Sequence, residues 1–199
     1  MNSIFEAYNA VRSDEQVQLL LELNWKNAAA GALIGAAALT SPLAVGTANA
    51  GPATTINQAE KDIDTTKLLQ AIRHVESSNG MNTGTRYEAG VEKYLKNTYN
   101  NQDKRVQDAI NKYGYKAVAT SYGPYQVLAS TAYWLGFNGN IEDLKSENVS
   151  KEYAQKYLNW IIKRPKTKTL GDVISAYNAG VGGIGTNQNY VNKVMKYYR

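Results

Sequence analysis

TTKLLQAIRHVESSNG, residues 65–80, is the stretch whose reading decides the fold. Leu68, Leu69, Ile72 and Val75 recur at helical spacing, so an apolar stripe runs down one side of a helix. Thr65 or Thr66 is a good cap at its start, and Asn79 and Gly80 mark its stop. Glu76 comes four residues after Ile72 and seven after Leu69, which puts it on the buried side. It also falls in the last turn, where the helix dipole disfavours negative charge. Both circumstances raise a carboxyl pKa, and a general acid needs a raised pKa to hold its proton near neutrality. Position alone equally allows a glutamate at the edge of the stripe that reaches out to solvent. His74, the lone histidine, lies two residues earlier on a different side of the helix and reads as a surface residue.

The same periodicity continues downstream. Tyr153, Ala154, Tyr157, Leu158, Ile161 and Ile162 define an amphipathic helix that ends before Pro165. Leu170 to Tyr177 reads as another, Gly180 to Gly185 as a loop, and Val191 to Tyr198 as a closing helix. Alternating strand patterns are scarce. The expectation is a mainly α domain, with a small hairpin or loop region between Met81 and Thr120.

Composition sets bounds on what the chain can do. Its 199 residues suffice for one domain plus an extension, and 43% hydrophobic with 20% charged residues is ordinary for a globular protein. The absence of cysteine excludes disulfides and thiolate metal sites. The net charge is +5, yet the first 50 residues carry Glu6, Asp14, Glu15 and Glu22 against only Arg12 and Lys26. The basic excess therefore belongs to the remainder, with Lys163, Arg164, Lys166 and Lys168 its densest cluster. A basic body suits an anionic partner such as a wall polymer or a membrane surface, or simply keeps the protein soluble. No zinc-finger spacing or phosphate-binding glycine loop occurs, so no nucleic-acid partner is expected. Fifteen aromatics are tyrosine and two are phenylalanine; tyrosine pairs an apolar face with a hydroxyl, which suits a sugar cleft as well as ordinary packing.

The chain divides into residues 1–27, a polar and helical segment; 28–50, an apolar Ala/Gly-rich segment; 51–64, a turn-rich linker; and 65–199, the domain. Residues 28–50 carry no charge and end in Ala48-Asn49-Ala50-Gly51, a pattern typical of signal-peptidase sites. The long, acidic region before them is unlike an ordinary leader. A membrane-spanning helix, weakened by Pro42, and a segment that touches membranes only transiently are the other two readings.

Four blocks in order carry a resemblance: Glu76-Ser77-Ser78-Asn79-Gly80, Ser121-Tyr122-Gly123-Pro124-Tyr125-Gln126, Ala176-Tyr177-Asn178-Ala179-Gly180 and Tyr190-Val191-Asn192-Lys193-Val194. Together they resemble the soluble lytic transglycosylase family, a relative of goose-type lysozyme, over roughly residues 66–197. The second block departs from the family's usual Gly-Leu-Met-Gln, and the interval between the first two blocks is longer than in simple members. That interval holds Arg86-Tyr87-Glu88, which resembles phage-associated members and could form a flap or extend the sugar-binding surface.

The resemblance implies an α+β lysozyme-like fold with a catalytic cleft, acting on peptidoglycan glycan strands in the periplasm or cell wall, exported or delivered by a virion. It implies Glu76 as acid and then base at the bond between N-acetylmuramic acid (MurNAc) and N-acetylglucosamine (GlcNAc), giving a 1,6-anhydro sugar with help from the substrate's own acetamido group. It places Tyr177 beside the reacting ring with its hydroxyl near Glu76. Gln126 and Asn178, amides that donate and accept, suit sugar hydroxyls or acetamido groups. Ser77 could brace the acid or meet substrate, Tyr125 belongs with the binding residues, and Gly123 would let the backbone approach the sugar closely. No cofactor or metal is expected, and the domain is expected to be monomeric. Glu88 is the nearby rival carboxylate: set across the cleft from Glu76, it would make hydrolysis, a muramidase reaction, plausible. A non-catalytic wall-binding virion component is the reading from another class.

Overall fold

The computed structural model describes residues 63–199; the segments read at 1–27 and 28–50, and nearly all of 51–64, lie outside the described residues. The first helix, α1 (Thr65–Ser77), is capped one residue earlier than expected. Asp64, whose side chain accepts from the Lys67 N–H, takes the place foreseen for Thr65 or Thr66. An aspartate one residue ahead of two threonines satisfies the free N–H groups equally well and suits the positive end of the helix dipole.

The end of α1 is also sharper than the sequence suggests. Ser77 Oγ donates to the Arg73 carbonyl and accepts from the Gly80 N–H. The chain then runs through three residues with positive φ, Ser78, Asn79 and Gly80. Helix growth thus stops at Ser77, right after Glu76.

The region between Met81 and Thr120 is mostly helical, unlike the hairpin or loop expected there. It holds β1 (Arg86–Tyr87), α2 (Ala89–Asn97), α3 (Lys104–Tyr113) and α4 (Tyr115–Val118). Helix α3 buries Val106, Ala109 and Ile110, and α2 buries only Leu95. The polar faces of both helices hid their short apolar stripes among lysines and asparagines.

Strands β2 (Thr120–Tyr122) and β3 (Val127–Leu128) complete a three-stranded antiparallel sheet in the order β1-β2-β3. Its register pairs Arg86 with Ser121 and Ser121 with Leu128. Residues opposite one another in antiparallel strands share a face, so Arg86, Ser121 and Leu128 form one row across the sheet.

Short α5 (Ala129–Trp134) follows, then α6 (Glu147–Ile162), α7 (Leu170–Ala179) and α8 (Gln188–Tyr197). Serine 146 caps α6, and Thr169 with Asp172 forms a reciprocal capping box on α7. The core joins Leu68, Leu69 and Ile72 of α1 to Leu158 and Ile161 of α6, Val173 and Ile174 of α7, and Val194 of α8, all essentially excluded from water. Each such side chain contributes about 1.5–3 kcal/mol on burial.

Helices α1 and α8 run antiparallel. Tyr198 Oη accepts from the Asp64 N–H at 3.1 Å beside the start of α1. His74, read as a surface residue, is half-buried farther along and stacks on Tyr197, ring centroids 3.7 Å apart.

Gly123 sits at φ +72°, and a Cβ there would lie 2.3 Å from the Leu144 carbonyl oxygen and 2.8 Å from Ser150 Oγ. Its close approach is to the protein's own backbone, so Gly123→Ala should destabilise the fold by at least about 2 kcal/mol. Denaturant unfolding followed by circular dichroism measures it; a loss below about 0.5 kcal/mol would mean this turn is not held as described.

Candidate active site

The end of α1, the Arg86–Ser121–Leu128 row of the sheet, and the starts of α5 and the ends of α7 enclose one cleft. Glu76, Arg86, Glu88, Ser121, Gln126, Leu128, Thr131, Tyr157, Tyr177 and Asn178 line it. Five of the residues singled out from the sequence are therefore brought together: Glu76, Gln126, Tyr177, Asn178 and the rival carboxylate Glu88.

Glu76 Oε1 accepts a hydrogen bond from Tyr190 Oη at 2.7 Å. Burial raises the Glu76 pKa above the ordinary carboxyl value; the Tyr190 bond and the Arg86 charge oppose that, and Glu88 adds to it. Desolvation is the largest of these effects, so the protonated acid is favoured in the folded protein. Burial and the nearby Glu76 charge also push the Tyr177 and Tyr190 hydroxyls well above their usual range. Both stay neutral at physiological pH.

The hydroxyl bonded to Glu76 is that of Tyr190, the first residue of the fourth block, for which no role was expected. Tyr177 Oη donates instead to the Tyr125 carbonyl at 2.9 Å. That bond ties α7 to the turn between β2 and β3, while the Tyr177 ring lines the cleft. No local pattern separates Tyr190 from the chain's other tyrosines; only the antiparallel pairing of α8 with α1 sets it against Glu76.

Ser77, Gly123 and Tyr125 stand behind the cleft. Ser77 is 1% exposed, with its hydroxyl engaged on both sides by the end of α1. Tyr125 is 2% exposed; its N–H donates to Ser150 Oγ, and its carbonyl serves Tyr177. They shape the wall behind Glu76 and Gln126.

The two amides are held in complementary senses. Gln126, in a left-handed conformation at φ +48°, donates through Nε2 to the carbonyls of Gly84 and Gly123. Both amide hydrogens are thereby committed, which leaves its oxygen to accept. Asn178 Oδ1 accepts from Asn187 Nδ2 at 2.8 Å, which leaves its own NH₂ to donate. Asn187 is fixed by Ser175, whose hydroxyl donates to Asn187 Oδ1 at 2.5 Å. Asn187, the residue ahead of α8, was not among the sequence candidates.

A carboxyl whose pKa is raised by burial, one amide acceptor and one amide donor suit a sugar carrying hydroxyl and acetamido groups. The sequence family agrees with this geometry: the transglycosylase SLT domain model matches residues 53–198. The chain belongs to the transglycosylase SLT family. It is accordingly a lytic transglycosylase that acts on the glycan strands of peptidoglycan, with a lysozyme-like fold. No individual curated protein and no solved structure matches it. The match begins at residue 53, inside the stretch read as a linker, and Ile63 near its start packs against the core.

Two outcomes follow from the surroundings of Glu76. Tyr190→Phe removes a bond that favours the carboxylate, so the acid should hold its proton to higher pH. The alkaline limb of kcat/KM should move upward; a downward move would contradict this role. A carboxyl whose folded pKa lies above its unfolded value lends stability at low pH that is lost as pH rises through the folded value. Glu76→Gln, which keeps an acceptor for Tyr190 and cannot ionise, should therefore melt above the wild type at neutral pH. The gap should close in acid, and calorimetry across pH reads it directly.

Proposed function

We propose that Glu76 is the single acid and base of this transglycosylase. It protonates the glycosidic oxygen between MurNAc and GlcNAc as the C1–O bond breaks. The substrate's acetamido oxygen shares the positive charge at C1. The C6 hydroxyl of the same muramic residue then attacks C1, and its proton returns to the Glu76 carboxylate. The product is a 1,6-anhydro sugar, no water is consumed, and the acid is regenerated.

The observation that supports this most is the half-buried Glu76 bonded to a neutral tyrosine at the end of α1. Its surroundings favour the proton before cleavage, and Tyr190 steadies the anion after it. The Asn178 NH₂ suits the acetamido carbonyl, and the Gln126 oxygen suits a sugar hydroxyl.

Hydrolysis would need a second carboxylate free to activate water. Glu88 does line the cleft, but its Oε1 is held by Arg86 Nε at 2.6 Å. That engagement favours the anhydro outcome. Residues 28–50, uncharged throughout, would bring the domain to the wall side of the membrane by export or virion delivery.

Digestion of purified sacculi followed by mass spectrometry of the soluble products tests the chemistry. Anhydro muropeptides are expected, with the rate falling on the order of 10²–10⁴-fold in Glu76→Gln. Products one water heavier would identify a muramidase, and an undiminished rate in the variant would remove Glu76 from the mechanism.

A further inference from the structure

Arg86 is at odds with the acid it faces. A cation within Coulomb range draws Glu76 toward ionisation, whereas the mechanism needs it protonated. Glu88 offsets part of that effect by pairing with Arg86 through Nε alone. Among the described residues, neither Nη nitrogen of Arg86 has a partner. The outer edge of the guanidinium, the fork that grips a carboxylate with two parallel bonds, is therefore unused.

Its mounting is firm. Arg86 pairs with Ser121 across β1 and β2, which turns its side chain to the cleft face of the sheet. The loop leading into β1 is pinned where Gln126 Nε2 donates to the Gly84 carbonyl at 2.8 Å. The Glu88 N–H donates to the Ala119 carbonyl on the far side. The side chain remains 54% exposed, open to a ligand entering the cleft.

The substrate supplies the matching group. Muramic acid differs from glucosamine by a lactyl ether, which ends in a carboxylate on peptide-free strands and in a stem peptide with its own carboxylates on others. We infer that Arg86 is a specificity-determining residue that binds a carboxylate carried by the muramic unit, and that Glu88 is its resident competitor. This deepens the peptidoglycan reading of the cleft and rests on it. Docking of that carboxylate neutralises Arg86 and relieves Glu76 of its pull, so a wall strand and a neutral chitin strand meet differently charged clefts.

The test is binding, measured by titration calorimetry on the full chain carrying Glu76→Gln, so that no probe is consumed. Three tetrasaccharide probes serve: chitotetraose, a peptide-free wall fragment and a peptide-bearing one. Adding Arg86→Gln should weaken one or both anionic probes about fivefold to tenfold, the scale of a charge-assisted but solvent-screened pair, and leave chitotetraose unchanged. Loss with the peptide-free fragment assigns the lactyl carboxylate, and loss confined to the peptide-bearing one assigns the stem. Glu88→Gln should act in the opposite direction, tightening the anionic probes alone. Equal changes on all three probes, or none on either anionic probe, overturn the inference. Should Arg86→Gln fail to fold by circular dichroism, the Glu88→Gln arm decides alone, and unchanged anionic binding there overturns it. Activity surviving in Glu76→Gln on sacculi would instead count against the acid assignment and leave these binding ratios standing.

Discussion

Glu76 keeps its place because helices from opposite ends of the described domain lie antiparallel, and the bond from Tyr190 closes that seam at the cleft. The seam is built mainly from apolar contacts. Leu68, Leu69 and Ile72 on α1 and Val191 and Val194 on α8 are buried, each contributing about 1.5–3 kcal/mol. At the far end, the Asp64 N–H bonded to Tyr198 fixes how α8 slides along α1. A one-turn slip would cost this bond and the His74–Tyr197 stack, and would take Tyr190 away from Glu76. The apolar seam thus offsets the cost of placing a carboxyl away from water.

Around that acid the polar groups are fixed by the fold before any sugar arrives. Asn178 is oriented by Asn187, and Asn187 by Ser175. Gln126 is held in a left-handed conformation, uncommon for a residue with a side chain, by two backbone carbonyls. Strain kept at one residue of a cleft is consistent with a group whose direction matters more than its local comfort. The bond to Gly84 also joins the second sequence block to the segment before β1, so the cleft's amide and its cation are positioned together.

Much of this was legible in the sequence, for a physical reason. Helices α1, α6 and α7 bury broad apolar stripes, and a broad stripe leaves a clear period. Helix α2 buries one residue, Leu95, which leaves almost none. The site divides along a similar line. Glu76 was readable because a helix with a known period carries it. Ser77, Gly123 and Tyr125 have side chains or conformations apt for sugar, yet Arg73, Gly80, Leu144, Ser150 and Tyr177 claim them from behind the cleft. The partners of Ser77 are local, but those of Tyr125 lie 25 and 52 residues away, beyond the reach of a local pattern. Tyr190 is the reverse case, a tyrosine marked only by its place in the fourth block that becomes the acid's partner through the α1–α8 register.

The two walls of the cleft have different origins in the chain. Glu76, Gln126, Tyr177 and Asn178 come from the blocks that mark the family, and they supply acid, acceptor, aromatic face and donor. Arg86 and Glu88 come from the interval between the first two blocks, which folds into its own helices and lends one strand to the sheet. Because β1 is only two residues long, its register with β2 decides which of Arg86 and Tyr87 faces the cleft. In the register observed, Arg86 faces inward, while the Tyr87 hydroxyl bonds Glu92 and its ring lies under Lys116. A slip of one residue would exchange a cation beside Glu76 for a phenol. The charge of the cleft, and with it the ease with which Glu76 holds its proton, is therefore set by the pairing of this insertion as well as by the blocks shared with the family.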